Sequence, residues 1–116
     1  MAGAEVQMKL IEAARYGSDG GVRFFIKRVE DVNWQDGEGW TAMHWAASKA
    51  SLECVELLLS AKARLNIENA VGDSALHIAA KMGHIEVQRM LIKAGASLKA
   101  VNKDGLTPID LAKSRA

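Results

Sequence analysis

A lone cysteine, no surplus of charge of either sign and no long apolar run set the first limits on this chain. Cys54 has no second cysteine to pair with, so an internal disulfide is impossible and nothing points to an oxidising compartment. The formal net charge of +1 lacks the basic surplus of a general nucleic-acid binder. No apolar segment approaches the roughly 20 residues that cross a bilayer as a helix. The start, Met1-Ala2-Gly3-Ala4-Glu5, lacks the charged-then-apolar layout of a signal peptide. The expectation is an intracellular chain, cytoplasmic and also open to the nucleus, with neither nucleic acid nor membrane as partner. Phosphate-binding glycines are missing as well: Gly37-Glu38-Gly39 fits turn chemistry, and no Gly-Lys-Ser or Gly-Lys-Thr follows.

What is present is a repeat. Gly72-Asp73-Ser74-Ala75-Leu76-His77-Ile78-Ala79-Ala80 overlies Gly39-Trp40-Thr41-Ala42-Met43-His44-Trp45-Ala46-Ala47 position for position. The same shift forward reaches Gly105-Leu106-Thr107-Pro108-Ile109-Asp110-Leu111-Ala112. Gly39, Gly72 and Gly105 are thus evenly spaced, and a fixed period of roughly 20–50 residues marks an array of stacked units. Apolar residues at 49% and charged residues at 25% give an ordinary globular balance, and 116 residues suffice for one domain with a continuous core.

The register divides the chain into 3–35, 36–68, 69–101 and a half unit at 102–116. In the first unit Val6, Leu10, Ile11, Ala13 and Ala14 give a helix one apolar face, while Glu5, Lys9, Glu12 and Arg15 cover the other. A polar outer face suits the end of a stack, so this unit reads as a cap. After Ser18-Asp19-Gly20-Gly21, a second helix is expected from Val22 to Val29. Its Gly21, Phe24, Phe25 and Arg28 align with Cys54, Leu57, Leu58 and Ala61, and with Val87, Met90, Leu91 and Ala94, one helix face read as core.

Gly95 is placed to end a helix in the left-handed conformation, and Lys62 stands at its counterpart. Thr41, Ser74 and Thr107 are expected to cap the helices that follow them, with Pro108 just inside the last start. Helices of about eight to ten residues lie below the roughly 12–15 that are marginally stable alone, so they persist only by packing on one another. The half unit supplies a single helix, about 107–114, and leaves one flank of the stack thinly covered.

These residues resemble the ankyrin repeat family. Its pattern runs from an aspartate or asparagine and a glycine through Thr-Pro-Leu-His and two alanines to Gly-His and two leucines. The third unit matches with Asn69, Gly72, Ser74-Ala75-Leu76-His77, Ala79-Ala80, Gly83-His84 and Leu91-Ile92. The second matches through Asp36, Gly39, Thr41-Ala42-Met43-His44, Ala46-Ala47 and Leu57-Leu58, but carries Ala50-Ser51 in place of Gly-His. The resemblance implies an all-α solenoid of antiparallel helix pairs with hairpin-like tips, gripping a folded protein with its concave face. Carried over by position, that face comprises Gln35, Gly37, Glu38, Trp40, Ser48 and Lys49, then Glu68, Ala70, Val71, Asp73, Lys81 and Met82, then Val101, Lys103, Asp104 and Leu106. It also marks Asn33, in Asp31-Val32-Asn33, as a candidate for asparagine hydroxylation.

Chemistry beyond binding finds little support. His44 and His77 recur three residues after a capping Thr or Ser, which fits an imidazole bonded within its own turn. Asp110 holds that position in the half unit. Cys54 aligns with Val87 on the apolar face, where a buried inert thiol is expected. Neither a metal, a cofactor nor an active site is expected. The aromatics carry more information, since all six (Tyr16, Phe24, Phe25, Trp34, Trp40, Trp45) lie in the first half. Phe24 and Phe25 align with core leucines, and Trp45 with Ile78 and Leu111, which suggests packing between first helices. Trp40 stands at a tip position expected to be exposed, either a binding anchor or a residue packed on the next tip. Charge runs from an acidic first tip (Glu30, Asp31, Asp36, Glu38) to six basic residues from Arg89 onward. That gradient either orients a partner or is scattered solubilising charge, the plainer of the two.

The sequence therefore describes a protein-binding adaptor or inhibitor, expected to be monomeric with weak self-association through the C-terminal flank. A structural piece of a longer array joined at that flank is the alternative.

Overall fold

The computed structural model describes residues 3–114, so Arg115 and Ala116, the last of the half unit, lie outside the described residues. Within that span are seven helices: α1 (Gly3–Arg15), α2 (Asp19–Ile26), α3 (Ala42–Lys49), α4 (Leu52–Ser60), α5 (Ala75–Met82), α6 (Ile85–Lys93) and α7 (Pro108–Lys113). They form three pairs and a single closing helix in a solenoid 43 Å long and 22–24 Å across. The first helices form one packed row, α1 on α3 on α5 on α7, and the second helices a looser one, thinnest between α4 and α6.

Small residues explain the tight row. Ala14, Ala46, Ala47, Ala79 and Ala80 are buried, and with no side chain beyond Cβ they let neighbouring helices approach closely. Leucine and methionine fill the space between rows, with Leu10, Met43 and Leu76 buried at corresponding levels and Leu58 and Leu91 closing the second row. Each first helix after α1 opens on a capping box. Thr41, Ser74 and Thr107 accept the backbone N–H of His44, His77 and Asp110, whose side chains return a bond to the cap's own N–H.

The tips are built alike. Asp36, Asn69 and Asn102 each accept two backbone N–H groups across their turn, as Asp36 does from Glu38 and Trp40. Successive tips then join: the Ala70 N–H donates to the Glu38 carbonyl and the Lys103 N–H to the Val71 carbonyl. Gly39 and Gly72 make this possible. Both have positive φ, and a Cβ at either would lie 2.7–2.8 Å from the next tip's backbone nitrogen. Side chains add stitches between units. His44 Nε2 reaches the Asp73 carbonyl at 2.8 Å and His77 Nε2 the Leu106 carbonyl at 3.0 Å. Asn33 Oδ1 accepts the Arg64 N–H and Asn66 Oδ1 the Ser97 N–H.

Several expectations need correction. α2 begins at Asp19, ahead of the expected Val22, because Ser18 caps it by accepting the Gly21 N–H. α1 runs 13 residues rather than eight to ten. The second-helix core face is also shifted. Cys54, Val55 and Leu58 are buried in α4 and Val87 and Leu91 in α6, while Leu57 and Met90 are half-buried and Ala94 is exposed. Phe24, aligned with Leu57, is exposed: among the described residues no helix pair precedes it, and Arg28 lies 3.8 Å over its ring instead. Helix α4 does end without glycine, at Lys62 with φ +64°, and Ala50 ends α3 at φ +55°.

Candidate functional site

The position after each tip glycine is not the exposed perch that the spacing suggests. Trp40, Asp73 and Leu106 occupy it, and none of the three is fully exposed. Trp40 is half-buried, its ring centroid 4.3 Å from that of Trp45 and 5.7 Å from that of His44. Asp73 is only 3% exposed, and its carboxylate accepts the Asn102 side-chain amide at 2.9 Å. Its side chain thus serves the scaffold, on the floor of the cavity beside Trp40. Leu106 is half-buried and receives His77 through its carbonyl.

Around Trp40 the surface opens. A cavity of about 270 Å³ is lined by Trp40, Val71, Ile78, Lys81 and Met82 above Asn69 and Asp73. Val71 is 57% exposed and Met82 43% exposed, so two apolar side chains border an indole, a combination suited to a protein contact. Glu38 and Ala70 adjoin Trp40 and Val71 in a neighbouring depression. Ser48 reaches the same surface, its hydroxyl 3.4 Å from the Met82 sulfur. Lys49 is exposed at the end of α3, and Val101, Lys103 and Asp104 are exposed on the last tip, one unit further along. Gly37 and Glu68 are exposed too. Gln35 is exposed but serves the scaffold, its amide bridging the Gly39 and Glu68 carbonyls.

Positions that the resemblance did not assign to the face form a second depression. Trp45 is held by Asp36, whose Oδ2 accepts its indole N–H at 3.1 Å. With Trp34, Met8 and Arg15 it lines a further cavity between α1 and the first tip. The signal for this was the clustering of tryptophans. What hid it is that Met8 and Arg15 come from the degenerate first unit, where no repeat position marks them.

The titratable groups are committed to structure. Nδ1 of His44 accepts the Thr41 N–H at 3.0 Å, so its proton sits on Nε2, facing the Asp73 carbonyl. Burial lowers its pKa, opposed by that carbonyl and by the Asp73 and Asp36 charges. His84 Nε2 bonds the Ser48 carbonyl at 3.0 Å. Burial pushes the Cys54 thiol up to about 12, helped by the Asp19 carboxylate 3.1 Å away. Bonds from the Thr107 backbone and hydroxyl hold the exposed Asp110 carboxyl below its ordinary range.

A family model for three copies of the ankyrin repeat matches residues 10–104. The chain belongs to the ankyrin repeat family. Among curated proteins it is similar to calmodulin-binding transcription activator 6 of Arabidopsis thaliana, 41% identical over 47% of this chain. It is also similar to Caskin-2 of Homo sapiens, 35% identical over 53% of this chain. The matched segment spans 6% of each of these relatives. Ankyrin repeats are in general protein–protein interaction modules, and the family is typically non-enzymatic.

Proposed function

We propose that this ankyrin domain acts as an adaptor or inhibitor, binding a folded protein partner on the concave face centred on Trp40, without catalysis. The observation that carries this is the open cavity in which Trp40 stands beside exposed Val71 and Met82. An amphipathic aromatic flanked by adaptable aliphatics is the composition of an interface centre. The test starts from a partner captured from lysate and measures affinity and thermal midpoint for three variants. Trp40→Ala and Met82→Ala are expected to weaken binding, by about 2 kcal/mol or more for Trp40. Leu91→Ala, at a buried core position, should instead lose about 2–5 kcal/mol of stability. Parent-like binding by both Trp40→Ala and Met82→Ala removes the concave face from consideration.

A second reading, self-association through the C-terminal flank, has its own observation. Ile109 is 49% exposed at the position where Met43 and Leu76 are buried, and a Cβ on Gly105 would meet nothing within 4 Å. A molar mass that rises with concentration favours the flank as an interface, and a constant monomer mass rules it out. Hydroxylation at Asn33 is a further proposal, supported by its acidic-apolar-asparagine context. Its Oδ1 is engaged by the Arg64 N–H, so the enzyme must open that link. A gain of one oxygen at Asn33 on incubation with an asparaginyl hydroxylase is expected, and modification of Asn66 alone overturns the choice.

A further inference from the structure

The cavity between α1 and the first tip, about 200 Å³, differs in chemistry from the one beside Trp40. Its walls include the indoles of Trp34 and Trp45, with Met8 and Ile11 beside them. Charge enters from Glu12, Asp36 and Arg15. The Arg15 guanidinium carbon lies 5.1 Å from the Trp45 ring centroid and 5.8 Å from that of Tyr16, within the range of cation–π attraction. The Trp45 ring is fixed for this role, with Trp40 tilted against it and Asp36 accepting its indole N–H.

We propose that this cavity receives a cationic side chain of the partner, an arginine in preference to a lysine, which replaces Arg15 on the Trp45 ring. Arg15 shows which group the ring accepts, and as an exposed side chain at the end of α1 it can swing away into water. The charges favour the exchange. Among the lining residues Glu12 and Asp36 contribute two negative charges and Arg15 one positive, a net of one negative charge. A neutral apolar side chain would meet the indoles but would desolvate the Glu12 carboxylate without pairing it, Asp36 already accepting the Glu38, Trp40 and Trp45 N–H groups. A guanidinium meets both demands, stacking flat on an indole while its N–H groups reach a carboxylate. Arg15 is thus a resident competitor that sets how strongly a partner arginine must bind. This rests on the concave-face reading of function, which it extends to a named partner chemistry.

The cavity can be tested without the partner. Indole N–H resonances of ¹⁵N-labelled protein are followed while N-acetyl-arginine methylamide, its lysine counterpart and its neutral norleucine counterpart are added. The arginine probe should shift the Trp45 and Trp34 signals saturably, with the lysine probe weaker. Norleucine should be weaker than arginine by about fivefold or more, the scale of an exposed cation–π contact. Glu12→Gln should weaken arginine binding by a similar factor. Arg15→Gln, which clears the ring and removes a like charge, should strengthen it by about fivefold. Both residues are exposed, so thermal midpoints should stay near the parent and serve as the folding control. Norleucine binding as well as arginine, no gain in Arg15→Gln, or no saturable shift with any probe each overturns the proposal. These outcomes are independent of Trp40→Ala and Met82→Ala measured against the captured partner, so failure of one reading is distinguishable from failure of the other.

Discussion

In the second repeat, Thr41 and His44 open α3, and the imidazole reaches across to the Asp73 carbonyl at 2.8 Å. In the third, Ser74 and His77 open α5, and the imidazole reaches across to the Leu106 carbonyl at 3.0 Å. Gly39 and Gly72 press on the next tip in the same way. The two repeats part company elsewhere. Trp40 and Trp45 stand in the second where Asp73 and Ile78 stand in the third, and Ala50 and Lys62 end its helices where Gly83 and Gly95 end those of the third. The recurring histidines and tip glycines are what hold one unit to the next. Two differences matter most: the second repeat puts tryptophans where the third has Asp73 and Ile78, and it ends its helices on strained non-glycine residues, so the third has the cleaner backbone while the candidate cavity draws on both.

The likeness is tested most severely at the tip glycines. Gly39→Ala and Gly72→Ala each force a Cβ into backbone at 2.7–2.8 Å, in addition to the left-handed strain. At Gly105 the φ of +75° imposes strain alone, because no described atoms stand where its Cβ would go. Chemical denaturation should show Gly105→Ala losing about 0.5–1 kcal/mol, the cost of left-handed backbone for an L-residue less the extra entropy that glycine gives up on folding. Gly39→Ala and Gly72→Ala should each lose more than that and resemble each other. A loss at Gly39 no larger than at Gly105 would mean that the tips separate at little cost.

His44 sharpens the comparison through pH. Its folded pKa is lowered by burial, so the unfolded chain binds the proton more readily. Its share of the stability is therefore complete above about pH 6.5, the ordinary value, and is lost as the pH falls through the window between that value and the lower folded one. Protonation places a second N–H on the ring, opposite the Thr41 N–H, and breaks the capping box. His44→Gln keeps a capping-box acceptor and removes the titration. It should lose about 1–2 kcal/mol at neutral pH, since the buried His44–Asp73 bond is disturbed, and show a shallower decline on acidification. Equal acid slopes in parent and variant would remove His44 as the titrating group.

The architecture was legible because its determinants recur at a fixed interval. Caps, tip glycines and paired alanines announce themselves by repetition, and the structure finds them at those positions. The boundaries of the first unit were not legible, because α2 is set by the Ser18 cap and Phe24 has no preceding helix pair among the described residues to pack on. The candidate face was legible only in outline. Alignment gives Asp73 the same tip position as Trp40, yet the Asn102 amide draws its carboxylate inward, a contact across units that no local pattern records. The Trp34–Trp45 cavity escaped for the converse reason, since it joins a repeated helix to a cap helix that lost the repeat.

The smallest expected effect lies at the two helix ends of the second repeat. Ala50 and Lys62 hold φ of +55° and +64°, where the third repeat uses Gly83 and Gly95. An L-residue in this region costs about 1–2 kcal/mol, and glycine's greater freedom in the unfolded chain returns roughly 0.5–1 kcal/mol of that on substitution. Ala50→Gly and Lys62→Gly should therefore each stabilise by about 0.5–1 kcal/mol, a net difference between these two terms. The sites lie at the ends of different helices, and their backbone N–H groups bond separate carbonyls, Ala47 for one and Leu59 for the other, so the gains should add in the double variant. Denaturation midpoints at fixed pH measure both. If neither substitution raises the midpoint, the second repeat relaxes its strain elsewhere, and the backbone difference between the repeats carries no energetic weight.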